Sequence, residues 1–191
     1  MARVAILLAD GFETAEALTT ADVLRRAGIK TRLVSTMDTA HVITAQQVQV
    51  TADETLDTAE GDVDCYVVPG GTPGVKRLSG NARVRSLLSA AMADPSVTVA
   101  AICAGPALLG ELGVLEGRKA TVFPGLEGSL PAGTFVDEEV VVDRDLITAR
   151  SMCCALPFAL ALVERLAGSE ALRKVLGGIG EPCAPAGAVA R

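Results

Sequence analysis

The chain has 191 residues, half of them hydrophobic, with only five aromatic side chains and a net charge of −6. The length fits one domain with a substantial core, built here from Ala, Val, Leu and Ile. A pI near 4.8 argues against nucleic acid and against anionic membranes as partners.

The N-terminus, MARVAILLADGFE, has too short an apolar run for a signal-peptide core. No stretch reads as the roughly 20 apolar residues of a membrane helix. A soluble, cytoplasmic protein is expected. Five cysteines with no C-x-x-C pair argue against a disulfide framework or a zinc site.

RVAILLA at 3–9 reads as a buried strand ending in an Asp10-Gly11 turn. TAEALTTADVLRRAG reads as a helix with an apolar face of Leu18, Val23, Leu24 and Ala27, closed by Gly28. KTRLVST follows as a second strand, so the two strands pair in parallel across a β-α-β crossover. Residues 41–51 suggest a small hairpin, with His41 on its surface. DCYVVPGG is the next core strand, with Cys65 inside it, and a helix spans about Asn81 to Ala93.

VTVAAI is another buried strand stopping at Cys103, and PALLGELG continues as a helix. Shorter pieces follow: KATVF, then EEVVVDRD and LITAR as a hairpin about Asp143–Asp145. CALPFALALVERLAG and SEALRKVLG read as two terminal helices. The expected organisation is one domain over residues 1–176 and a Gly/Pro/Ala-rich tail over 177–191, with Cys183 an incidental exposed thiol. The fold class is α/β: a flavodoxin-like three-layer sandwich, a mostly parallel sheet with helices on both faces.

Ligands in such sheets bind beyond the carboxyl ends of the strands. Three such ends carry unusual content: Glu13 and Glu16 after the first strand, Gly70 and Gly71 after the third, and Cys103 itself. A helix starting at Ala104 would point free N–H groups at the sulfur and favour thiolate. The turn resembles the nucleophile elbow of hydrolases, although Ala101 stands where G-x-S-x-G has its first glycine. Backbone N–H groups of Gly71 and Ala104 would form an oxyanion cradle. Free cysteine is also among the most buried residue types, so pattern alone leaves core filler and reactive thiol both open.

ADGFETAEALTTADVLRRAG, YVVPGGTPG and AAICAGPALL, in that order and spacing, resemble the Parkinson disease protein 7 family of the ThiJ/PfpI superfamily. The resemblance runs from about Ala2 to Lys174. It implies a homodimer with Cys103 as an oxidation-sensitive nucleophile and Glu16 as the carboxyl that hydrogen-bonds the sulfur and shuttles protons. It places the backbone cradle on Gly70, Gly71 and Ala104. Glu13 reads instead as a helix N-terminal carboxylate.

The chain departs from that pattern at several positions. Phe123 stands where some members carry histidine, and Gln46 where an Arg often reaches toward the site. Arg150 is retained at a position lining the pocket or interface, but Ser151, Met152, Cys153 and Cys154 replace a Gly-Pro-Gly-Thr run. Cys153 and Cys154 then read either as two packed small residues at a helix start or, one of them, as a resolving thiol for oxidised Cys103. The protease-like branch puts histidine directly after the nucleophile, where Ala104 stands here, and no histidine follows His41 to complete an amidotransferase triad. PGGTPG lacks the ending of a phosphate loop, and stacking partners for a flavin are scarce. The resemblance implies a glyoxalase or deglycase acting on small reactive dicarbonyls or early glycation adducts with no cofactor and no metal. The competing reading is a non-catalytic redox sensor or chaperone using the same Cys103 and Glu16.

Overall fold

The computed structural model describes residues 1–58 and 62–180. Residues 181–191, which hold Cys183 and most of the expected tail, lie outside the described residues.

Four of the strands that form the centre of the sheet carry near-continuous apolar runs because both of their faces are covered. In β1 (Arg3–Leu8), Val4, Ile6 and Leu8 pack toward α1 (Thr14–Arg26) and α5 (Ala155–Ile179). Ala5 and Leu7 pack on the other face. That face is covered by α2 (Thr72–Gly80), α3 (Ala82–Ala93) and α4 (Gly105–Glu111). The same alternation divides β6 (Cys65–Val68), β7 (Thr98–Ile102) and β9 (Leu146–Ala149) between the two cores. With β2 (Lys30–Ser35), β5 (Glu54–Thr55) and β8 (Val140–Asp143), these strands form one sheet ordered β5-β2-β1-β6-β7-β9-β8. Every pairing is parallel except β8 with β9.

This is the three-layer, flavodoxin-like arrangement expected. From β1 the chain first adds β2 on one side and later returns to add β6 on the other. The two loops leaving β1 and β6 therefore diverge at a topological switch point, where a crevice opens.

Local chemistry sets the element ends. Gly28 takes φ +77 after α1, with its N–H donating to Arg25 C=O and Ile29 N–H to Leu24 C=O. That is a Schellman motif at the expected glycine. The side hairpin forms from β3 (His41–Ile43) and β4 (Gln49–Thr51), with exposed His41 against Thr51 across the pair.

Some elements differ from expectation. Helix α2 is absent from the elements expected above, because Thr72-Pro73-Gly74 carries turn residues. Pro73 sits in its first turn, and a Cβ at Gly74 would lie 2.7 Å from Phe12 N, so glycine there permits close packing. α5 reaches Ile179, three residues into the expected tail, and a non-helical Gly168 (φ 82) divides it where two helices were expected.

The expectation about membrane-length segments also needs correction. Met152–Ile179 is long and apolar enough to cross a bilayer by length and composition alone, with mean hydropathy 1.4. In this fold Phe158, Ala159, Leu162 and Val163 pack into the core beside α1, which accounts for part of that apolarity, a third of the apolar stretch being buried.

Asn81 caps α3, its Oδ1 accepting from the N–H groups of Arg83 and Val84. Asn81→Ala is expected to lower stability by about 1 kcal/mol, read as a shifted urea midpoint with an unchanged slope.

Candidate active site

Three strand ends converge beyond the switch point. β1 leads to Glu13, the N-cap of α1, whose Oε2 accepts the N–H of Glu16 at 2.8 Å. This is the helix-end role expected of Glu13. Glu16 sits in the first turn of α1, and instead of capping the helix it crosses to β6, where the Gly70 N–H donates to its Oε2 at 2.7 Å. Glu16 is fully buried, and its Oε1 has no hydrogen-bond partner among the described residues.

β7 ends at Ile102, and Cys103 follows with φ 62. An L residue in the left-handed region costs about 1–3 kcal/mol and persists only where its surroundings impose it. Two backbone bonds do so: Cys103 N–H donates to Ala149 C=O, and Cys103 C=O accepts from Phe123 N–H. A core filler requires no such turn. The strained backbone carries the sulfur out of the strand into the notch between β1 and β6, where it remains half-buried.

Gly70 forms the floor of that notch. A Cβ there would lie 2.6 Å from Cys103 Cβ, 2.6 Å from Glu16 Oε2 and 3.0 Å from Cys103 Sγ. Glycine thus allows carboxyl and thiol to face each other. Gly70→Ala is expected to cost about 1–3 kcal/mol by overpacking and to lower any Cys103-dependent turnover about 100-fold by displacing the pair. Thermal melting and kcat/KM check the two effects separately.

The electrostatics of the pair correct one expectation. Burial pushes the Glu16 carboxyl up to about 7, opposed mainly by the Gly70 N–H. Burial first, and the Glu16 charge second, push the Cys103 thiol up to about 12. N–H groups of Ala104 and Gly71 pull the thiol down, but they do not prevail. α4 therefore does not make a resting thiolate. In a site of low dielectric, a second negative charge beside an ionised carboxylate costs more than two backbone donors return. Above about pH 7 the pair holds one negative charge and one transferable proton, and below it the Glu16 carboxyl is protonated as well.

The backbone cradle is also narrower than expected. The Gly70 N–H is occupied by Glu16, which leaves Gly71 and Ala104 directed at the sulfur. Gly71 takes φ +86, and a Cβ there would lie 2.3 Å from Gly11 C=O. Gln46 accepts from the Thr14 hydroxyl at 2.7 Å, so it braces the start of α1. Phe123 is exposed at 44%, with its N–H on Cys103 C=O. Arg150 pairs with Asp137 at 2.8 Å. Cys153 is exposed, and buried Cys154 has its sulfur 3.8 Å from Ser151 Oγ. Cys65, Cys103, Cys153 and Cys154 are all free thiols. The sequence reading missed that Ala149 and Phe123 hold the Cys103 turn by their backbones, a role no side-chain identity signals.

A doubly wound, mostly parallel sheet, with a cysteine on a strained turn and a buried carboxyl beside it, defines a flavodoxin-like protein with a thiol–carboxyl pair at its switch point. A model of the DJ-1/PfpI family matches residues 2–165, and the chain belongs to that family. Protein dj-1beta of Drosophila melanogaster is 36% identical over 177 residues, covering 91% of this chain and 94% of that protein. Protein DJ-1 homolog B of Arabidopsis thaliana is 35% identical, and this chain spans 39% of its length. A relative from Caenorhabditis elegans, named glutathione-independent glyoxalase DJR-1.2, is 30% identical over 86% of this chain and 88% of its own. Among solved structures, oxidized Toxoplasma gondii DJ-1 superposes with a TM-score of 0.90 at 32% identity, covering 94% of this chain and 98% of that one.

Proposed function

We propose that this protein is a glyoxalase or deglycase-type enzyme that uses Cys103 and Glu16, without a cofactor, on methylglyoxal-like dicarbonyls or early glycation adducts. The observation that carries this reading is the buried Glu16 carboxyl, poised near pH 7 against the Cys103 sulfur. A group that must accept and then return a proton works best with its pKa near the working pH. The glyoxalase name borne by the Caenorhabditis elegans relative supports the substrate class.

With methylglyoxal, the Cys103 sulfur bonds to the aldehyde carbon as its proton passes to Glu16. The oxygen of the resulting hemithioacetal lies within reach of the Gly71 and Ala104 N–H groups. Glu16 first returns the thiol proton to that oxygen. The carboxylate so regenerated then removes the proton from the aldehyde carbon and delivers it to the neighbouring one, while the hydroxyl proton moves to the adjacent oxygen, giving a lactoyl thioester. Water cleaves the thioester, releasing lactate and restoring the thiol. Methylglyoxal plus water equals lactate plus a proton, so no external oxidant or reductant is consumed.

The experiment is a glutathione-free incubation of the purified protein with methylglyoxal, following substrate loss and lactate together. Lactate formed in step with substrate consumed is the expected result. Consumption with no lactate would leave only thiol adduct formation and reject turnover.

The second reading is the redox sensor or chaperone. The half-exposed sulfur and the unpartnered Glu16 Oε1 favour it, since a neutral carboxyl could donate to an oxidised sulfur. A sulfinate at Cys103 after mild peroxide, in a protein that gives no lactate, would select it. An internal disulfide to Cys153 or Cys154 in the same mass spectrum would assign a resolving thiol. A homodimer and a cytoplasmic location belong to this proposal.

A further inference from the structure

At the opposite edge of the sheet, where β7 and β9 begin, lies a cleft of about 470 Å³. One wall is apolar, formed by Met92, Ala93 and Pro95 at the end of α3. The other carries Arg118, Arg144 and Arg165, with Asp145 between them.

Arg118 is nine-tenths buried, an unusual place for a guanidinium. Its Nε donates to Asp143 Oδ2 at 3.2 Å, and its Nη2 donates to Asp143 C=O at 2.6 Å and Asp145 Oδ1 at 2.8 Å. These bonds engage Nε and Nη2 and fix the plane of a side chain that lines the cleft, and among the described residues Nη1 takes no hydrogen bond. Arg144 occupies the left-handed turn of the β8–β9 hairpin, with Nε on Asp143 Oδ1 and Nη2 on Gly117 C=O. No carboxylate pairs with Arg165 among the described residues, and its charge acts on the buried Cys65 thiol. Three guanidinium groups thus face two carboxylates, a local excess of positive charge on a chain whose net charge is −6.

Structural need explains Arg118 and, in part, Arg144. It does not explain Arg165, an exposed cation that pairs with no group among the described residues and lines the same cavity. One fixed guanidinium and two exposed ones lining a single cavity match the oxygens of a phosphate group. The cavity has room for more than a phosphate, and its second wall suits a carbon skeleton.

We propose that this cleft binds a small organic phosphomonoester, its phosphate held by Arg118 Nη1, Arg165 and Arg144 and its carbon body against Met92, Ala93 and Pro95. The five residues of β7 separate it from Cys103, a span of about 16 Å. A ligand here is a separate occupant of the protein, and the proposal holds whether or not Cys103 turns over dicarbonyls.

The test is a titration of the full chain at constant ionic strength, followed by amide chemical shifts, with glycerol phosphate, inorganic phosphate and acetate as probes. Glycerol phosphate is expected to shift resonances around residues 92–95, 118, 144 and 165. Arg165→Gln is expected to weaken this binding about tenfold, and Arg144→Gln combined with it by about 100-fold. The melting temperature of Arg165→Gln should match that of the unmodified protein, because its side chain makes no pair. No shifts up to ~10 mM glycerol phosphate would overturn the proposal, as would unchanged binding by Arg165→Gln. Equal shifts with acetate would reduce the effect to nonspecific charge and overturn it too. Inorganic phosphate binding as tightly as glycerol phosphate would remove the organic body from the assignment.

Discussion

Cys103→Ala is expected to lower kcat/KM for methylglyoxal by about 10⁴-fold or more, because the proposed covalent intermediate is built on the Cys103 sulfur. Circular dichroism should be unchanged, since the turn is held by the backbone bonds to Ala149 and Phe123 and not by sulfur. Cys103→Ser separates nucleophile from shape: the hydroxyl fits the same notch but yields its proton far less readily. It should be nearly as inactive as alanine. Turnover by Cys103→Ala within tenfold of the unmodified protein would remove the proposed chemistry and leave only the fold.

Glu16→Gln should reduce turnover by about 10²–10⁴-fold, the usual worth of a positioned acid–base group. Gln keeps an acceptor for the Gly70 N–H, so the notch retains its shape. In the unmodified protein the rate should rise with pH through about 7, as Glu16 becomes the anion able to take the thiol proton. That limb should vanish in the variant.

The same substitution has an opposite signature in stability. The Glu16 carboxyl titrates near 4.5 in the unfolded chain and near 7 in the folded one. Below 4.5 both states are protonated and its contribution is fully present. Between these values the unfolded chain has released the proton while the folded one retains it, so stability falls as pH rises. The loss amounts to about 3 kcal/mol once pH exceeds 7. Gln has no proton to release. The Glu16→Gln protein should therefore gain stability relative to the unmodified one between about pH 4 and pH 8, as measured by urea unfolding. A stability difference independent of pH would place the carboxyl in water, not in a buried notch.

Much of this architecture was legible in residue order. The buried runs of β1, β6 and β7 and the glycine after α1 each state a local preference that the fold obeys. Helix α2 escaped because its first residues are turn formers whose real task is to bring the helix close to Phe12. That approach is a long-range fact, absent from a short window of sequence. The site divided in the same way. Cys103, Glu16, Gly70, Gly71 and Ala104 could be named from motif order, but their electrostatic balance could not.

The amino-acid sequence by itself determined the strands and helices, the parallel sheet and which loops gather at its carboxyl edge, because periodicity and turn chemistry act over neighbouring residues. Only the tertiary structure decided that Glu16 is sealed from water, that it takes the Gly70 N–H away from the cradle, and that the thiol is raised and not lowered. It alone also gathered Arg118, Arg144 and Arg165 around one cleft. Burial and the distance between charges depend on segments far apart in the chain, and it is these that set where a proton resides.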